Sequence, residues 1–241
     1  MIVRFFILWG LSEMTESNRN NDQSKEKQQP SFDTQGKLRQ ISIDELKQIF
    51  KEHKKWLKSK GKEGERADLR FSNLKKVTLK KTILAFADMQ RSNLIGANLQ
   101  QANLIRTNLK KSYLSQANLK KANLFKANLE GAEIIGSIFR NSNLKGINLK
   151  NSDCKGTDFE GAILEKANLQ GANLLSAFIE EADLREANIT GAKNLTITQL
   201  SGAKTLYQAK LDPELMEKVK NSYPYLLRVP KKEPQQFTLG L

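Results

Sequence analysis

Cysteine, histidine, proline and aromatic residues are all scarce in this chain. It has one Cys, one His and five Pro in 241 residues, and aromatics make up 7%. A single thiol, Cys154, excludes an internal disulfide framework and a cysteine-built zinc site. His53 has no second His and no Cys near it, so the usual donors for a metal site or for acid–base work are missing. No glycine-rich phosphate loop occurs; Gly96, Gly131, Gly136, Gly146, Gly156 and Gly161 stand singly. The apolar stretch Ile2–Leu11 is interrupted by Arg4 and Gly10, and is half of the ~20 residues that span a bilayer. Arg4 and Gly10-Leu11-Ser12 have the outline of a short secretory signal with its cleavage site. The reading adopted is a start at Met14 preceded by an extension, and a cytoplasmic location.

Negative charge is also in the minority. The 40 Lys and Arg outnumber the 26 Asp and Glu, for a net charge of +14 and a pI near 9.7. Such a balance favours polyanions: nucleic acid, an anionic surface or an acidic protein. Residues 1–36 are rich in Asn, Gln, Ser, Lys and Glu after the apolar start, a composition that predicts a disordered leader.

What is present is a period. From Leu69 to Ile189 every fifth residue is Leu, Ile, Met or Phe at 25 successive positions, the one exception being Cys154. Two residues before each stands a small one, such as Ala97, Ala102, Thr107 or Ala117, with Val77 and Ile147 the bulkier cases. The residue just before is often Asn or Asp. A step of five advances about 140° on an α-helix and would wind the leucines around its whole surface. In a straight strand an odd step alternates faces. The chain must therefore turn once per pentapeptide, with the large and small residues inward and the other three facing water.

Ala97-Asn98-Leu99-Gln100-Gln101, Ala102-Asn103-Leu104-Ile105-Arg106 and Ala117-Asn118-Leu119-Lys120-Lys121 resemble the A(D/N)LXX unit of the pentapeptide-repeat family. The resemblance covers about half the chain. It implies an all-β fold, a right-handed quadrilateral β-helix with four pentapeptides per coil and about six coils, some 30 Å long at the ~4.8 Å strand spacing.

A solenoid exposes leucines and backbone at its ends unless they are covered. Residues 37–64 read as a helical N-terminal cap, with Ser42 and Glu45 in a capping-box pattern and Ile43, Leu46, Ile49, Phe50, Trp56 and Leu57 at helical spacing. The repeat occupies 65–192. Residues 193–228 read as a C-terminal cap whose helix begins at Asp212-Pro213 and stops at Pro224, and 229–241 as a loose tail.

The leucines leave no cavity, so no catalytic residue, metal ligand or cofactor is expected, and Cys154 should be an inert buried thiol. Function must lie on the walls. One outer column reads Lys80, Gln100, Lys120, Arg140, Glu160, Glu180, and its neighbour Lys81, Gln101, Lys121, Asn141, Gly161, Glu181. Lys80, Lys81, Lys120, Lys121 and Arg140 are the candidate polyanion contacts, set against a merely solvated wall. A second wall carries Ile83, Ala85, Phe86, Ile105 and Phe125. There Ile83, Phe86, Ile105 and Phe125 are the candidate contact for a protein partner or a homodimer, unless the N-terminal segment of the chain covers them. The function expected is a non-catalytic protein-interaction scaffold, the alternative being a nucleic-acid or other polyanion binder. The family's DNA mimics that inhibit topoisomerases are strongly acidic, which this chain is not.

Overall fold

The structure is a computed structural model that describes residues 38–230. The leader 1–36 and the tail beyond Pro230 lie outside the described residues. In chain order the named elements are strand β1 (Arg39–Gln40), helix α1 (Ile43–Lys58), strand β2 (Ser72–Asn73), helices α2 (Ile197–Ser201) and α3 (Pro213–Ser222), and a 3-10 turn, Pro224–Leu227.

Between α1 and α2 the chain forms a β-helix written in single parallel bridges. Each joins residues 20 apart: Asp68 to Asp88, Asn73 to Asn93, Thr78 to Asn98, Ile83 to Asn103, and onward to Asn173 with Lys193. A register of 20 with a repeat of five means four walls per coil. We number the walls by their first inward leucines: Leu69 (first), Leu74 (second), Leu79 (third) and Leu84 (fourth).

Local chemistry explains the repeat. From Val77 to Ala192 the amide of every fifth residue donates back to the carbonyl of the preceding large one, as in Ala87 to Leu84 at 3.0 Å, closing a turn at each of these corners. The residue two after the large one has positive φ at all 25 corners from Phe71 to Gly191, the mark of a type II turn. Asn is favoured just before the leucine because its Oδ1 accepts the amide two residues on. Ile105 N–H to Asn103 at 3.2 Å and Gln100 N–H to Asn98 at 3.1 Å are examples. Ser replaces Ala at the small inner position by giving its hydroxyl to the carbonyl three residues back, as Ser92 does to Met89 at 2.7 Å.

The inner residues form one continuous core, with Leu94 to Leu129 fully buried. On the third wall Phe139 and Phe159 stack at 5.5 Å. The void at the C-terminal end of this core, lined by Phe159, Leu164 and Leu200 among others, is ≈ 10 Å³, at the lower limit for one water molecule.

Both ends are joined by flanking segments. β1 pairs in parallel with β2, laying a strand on the first coil's exposed edge. Leu46, Ile49 and Phe50 of α1 pack against the core. Ser42 caps α1 by accepting the Glu45 amide at 3.1 Å. The Glu45 carboxylate does not complete a capping box in the described contacts; it pairs with Arg39.

After Ala192 the five-residue beat shifts and then returns. α2 intervenes, and the bridges that follow, Asp183 to Thr205 and Asn188 to Lys210, span 22 residues. Leu206 and Leu211 are again buried. Gln199 of α2 donates to the carbonyls of Leu174 and Ala177, both at 2.9 Å. The Asp212 carboxylate, at the N-cap of α3, accepts the Gly191 amide at 3.0 Å and makes no cap bond of its own.

Candidate functional surface

The interior offers no site among the described residues. No group of three or more His, Cys, Asp or Glu is placed to hold a metal ion. A cleft of ≈ 200 Å³ between α1 and the first coil is lined by Arg39, Gln48, Glu52, Arg66 and Asp68 among others. It is smaller than the roughly 300 Å³ at which ligand pockets begin.

Cys154 is wholly buried, 3.1 Å from the Ser152 hydroxyl, and burial pushes its thiol up to about 12. His53 is wholly buried too, between α1 and the first coil. Its Nδ1 accepts the Ala67 amide at 3.1 Å, which leaves the neutral imidazole with its proton on Nε2. Burial is the chief cause of its lowered pKa, about 4, assisted by the charge of Arg66 and opposed by the Ala85 carbonyl.

The outer walls divide by charge. Residues 65–128 hold 13 Lys and Arg against three Asp and Glu, while 129–192 hold six against ten. The corners show the same division. Lys76, Lys81, Arg91, Arg106, Lys111, Lys121 and Lys126 occupy positive-φ corners in the first half, where a non-glycine residue costs roughly 1 kcal/mol. In the second half seven of the thirteen corners are glycine (Gly131, Gly136, Gly146, Gly156, Gly161, Gly171 and Gly191), and Lys166 is the one cation among the rest.

Lys80, Lys81, Lys120 and Lys121 are exposed and make no ion pair with a described carboxylate. Arg140 differs from them. Its guanidinium is held by Asp158 and Glu160, each at 2.9 Å, so its charge is already answered. Lys145, Lys155, Lys166 and Arg185 in the second half are paired likewise.

The apolar candidates do not form one column. The register stacks Ala85, Ile105 and Phe125, whereas Phe86 stacks with Arg106 and Lys126 at the next corner. Phe86 N–H bonds the Ile105 carbonyl at 2.8 Å and Arg106 N–H the Phe125 carbonyl at 2.9 Å. Phe86 is half-buried, with Trp56 of α1 edge-on at 6.4 Å and the Arg106 guanidinium 5.9 Å from its ring. Ile83 stays 54% exposed, and Ile105 and Phe125 are half-buried with their outer faces on the fourth wall.

That wall is bordered by cations on both edges: Lys80, Lys81, Lys120 and Lys121 on the side of the third wall, Arg106 and Lys126 on the other. The two candidate sets thus adjoin as one surface. The reading by single columns missed this, although the steps of 20 from Arg106 and Lys81 carry it.

Other exposed apolar residues are scattered: Ile43 on α1, Tyr113 at mid-rod on the second wall, Ile163 lower on the fourth, and Leu175 and Phe178 towards the far end.

Residues 65–101, 102–141, 142–174 and 164–204 match the model of pentapeptide repeats, in eight copies. The chain belongs to the pentapeptide-repeat family. None of the curated proteins matches it.

Among solved structures it is similar to HetL, a pentapeptide repeat protein involved in heterocyst differentiation regulation from the cyanobacterium Nostoc sp. strain PCC 7120. That likeness is 29% identity over 61% of this chain and 70% of HetL, with a TM-score of 0.29. A pentapeptide repeat protein of the Arabidopsis thaliana thylakoid lumen is 28% identical over 54% of this chain and 74% of its own, with a TM-score of 0.26. QnrB1, a plasmid-mediated fluoroquinolone resistance protein, is 16% identical over 61% and 89%, with a TM-score of 0.32. The family rests on the repeat match, and these superpositions add no functional argument to it. No helix among the described residues is long and apolar enough to cross a membrane.

Proposed function

We propose that this pentapeptide-repeat protein is a non-catalytic scaffold that binds another protein through its outer walls, in the cytoplasm. In this reading the β-helix of about six coils is a rigid spacer, and α1 with β1, and α2 with α3, are caps that keep its ends from pairing with other strands. The observation that carries it is the fourth wall. Ile83, 54% exposed, and the outer faces of Ile105 and Phe125 contribute nothing to the core. A wall that only had to be solvated would carry Lys, Asn or Gln there, as its neighbours do.

The test is affinity capture from the native cell with the wild type and with Ile83→Ser/Ile105→Ser/Phe125→Ser. The variant should keep the wild-type circular dichroism and lose the partner. Capture of the same partner by both proteins would sink the reading.

The unpaired cations of the first half favour a second reading, a binder of nucleic acid or another polyanion. Its affinity would fall steeply with salt, and a gel shift with no binding at low salt eliminates it.

A further inference from the structure

We propose that the fourth wall, over its first three coils, is a docking site for an extended acidic segment of another protein that carries apolar side chains between its carboxylates. This rests on the scaffold reading and names the chemistry of the partner.

Three features of the wall specify it. Between its two cationic columns it carries Ile83, which stacks on Asn103, and in the next outward column Ile105 and Phe125, beside Arg106 and Lys126. Its edges are cationic, with Lys81 and Lys121 on one side and Arg106 and Lys126 on the other. None of these four cations meets a carboxylate among the described residues, whereas the cations lower on the same wall, Lys145, Lys166 and Arg185, are paired with Glu165, Glu186 and Asp183. A complementary ligand therefore supplies both negative charge at the rims and apolar groups in the centre. The first and third coils lie about 10 Å apart, a footprint for a short strand of chain rather than for a large folded face.

Other occupants fit less well. Single-stranded nucleic acid binds by stacking bases on bare rings. Here Lys126 Nζ lies 5.4 Å from the Phe125 ring centroid, Phe86 is held between Trp56 and Arg106, and the two isoleucines offer no stacking face. A duplex would engage the lysines through phosphates and leave the apolar residues unused. A second copy of this chain brings carboxylates that are mostly taken. Glu130, Asp153, Asp158, Glu160, Glu165, Asp183 and Glu186 are all in ion pairs within their own rod.

The experiment uses the full chain and fluorescence anisotropy with three labelled probes of about ten residues or nucleotides: a peptide alternating Glu and Leu, one alternating Glu and Ser, and oligo-dT. The Glu–Leu peptide should bind, and more tightly than the other two. Ile105→Ser/Phe125→Ser should weaken it about tenfold or more, and Lys121→Glu/Lys126→Glu as much. Lys150→Glu, on the first wall, should leave it unchanged.

Equal binding of the Glu–Ser peptide reduces the surface to bare charge and overturns the proposal. So does tighter binding of oligo-dT, or Glu–Leu binding that the wall variants do not weaken. Sedimentation velocity supplies the remaining outcome: a dimer that the same variants dissolve assigns the wall to a second copy. Loss of a captured cellular partner in these variants without any Glu–Leu binding would leave the scaffold reading standing and this inference refuted.

Discussion

His53 enters the fold as a neutral base, and that has a cost in acid. Its imidazole titrates near 4 in the folded protein, below the ordinary 6.5, because burial disfavours the cation. Between those values the unfolded chain takes up a proton that the folded chain refuses. Stability attributable to this residue is therefore complete above pH 6.5 and falls by about 1.4 kcal/mol for each pH unit below it, until the folded imidazole also protonates near 4. Urea unfolding at pH 7, 6 and 5 should show this slope. His53→Leu should flatten it while lowering stability at pH 7 by about 1–3 kcal/mol, because the Ala67 amide then loses its acceptor. A slope unchanged by the substitution would mean that other groups carry it. Cys154 is the complementary case, a thiol held protonated in the core. A thiol reagent that modifies it in urea should leave the folded chain untouched over hours at pH 8.

At the scale of the element, α1 packs Leu46, Ile49 and Phe50 against the core, and the segment that leaves it turns back closely onto its own backbone. Gly64, at φ 71°, lies where an added Cβ would stand 2.3 Å from the Glu52 carbonyl oxygen and 2.8 Å from the Trp56 amide nitrogen, both backbone atoms of α1. Neither can move without unwinding the helix. Gly64→Ala should therefore destabilise the protein by several kcal/mol, beyond the roughly 1 kcal/mol of backbone strain alone. Gly136→Ala, at φ 60° with nothing near its Cβ position, should cost only that strain. Chemical denaturation of the two variants decides it, and equal losses would contradict the close-packing account.

The elements also show what the residues alone disclose. The β-helix was legible because one inward position in five leaves no other regular conformation. α1 and α3 were legible through Ser42, Asp212 and Pro213. α2 was not, although Thr196 and Gln199 form a complete capping box, since its apolar face is a single turn. Leu206 and Leu211 keep the five-residue step, but α2 shifts their frame by two, so counting from Leu69 passes them by. The cover that Trp56 gives Phe86 joins residues 30 positions apart, and no local spacing encodes that.

On the scale of the whole molecule, each coil touches only its neighbours, so stability is a sum of coil and interface contributions rather than the property of one centre. The middle coils are covered on both sides. The first depends on β1 and α1, and the last on α2, α3 and the 3-10 turn, where the Leu206 amide donates to the Leu226 carbonyl at 2.7 Å and Leu226 is buried. Leu226→Ala should therefore act locally before it acts globally. The loss should be about 2–5 kcal/mol at the C-terminal end, as for other buried leucines. In hydrogen exchange the amides of Ile189, Leu206 and Ala209 should exchange faster, while those of Leu99 and Leu119 keep their protection. A uniform loss of protection from Leu74 to Leu206 would instead show that the rod unfolds as one cooperative unit. In that event the segments that flank both ends would govern the stability of the fourth wall as directly as its own residues do.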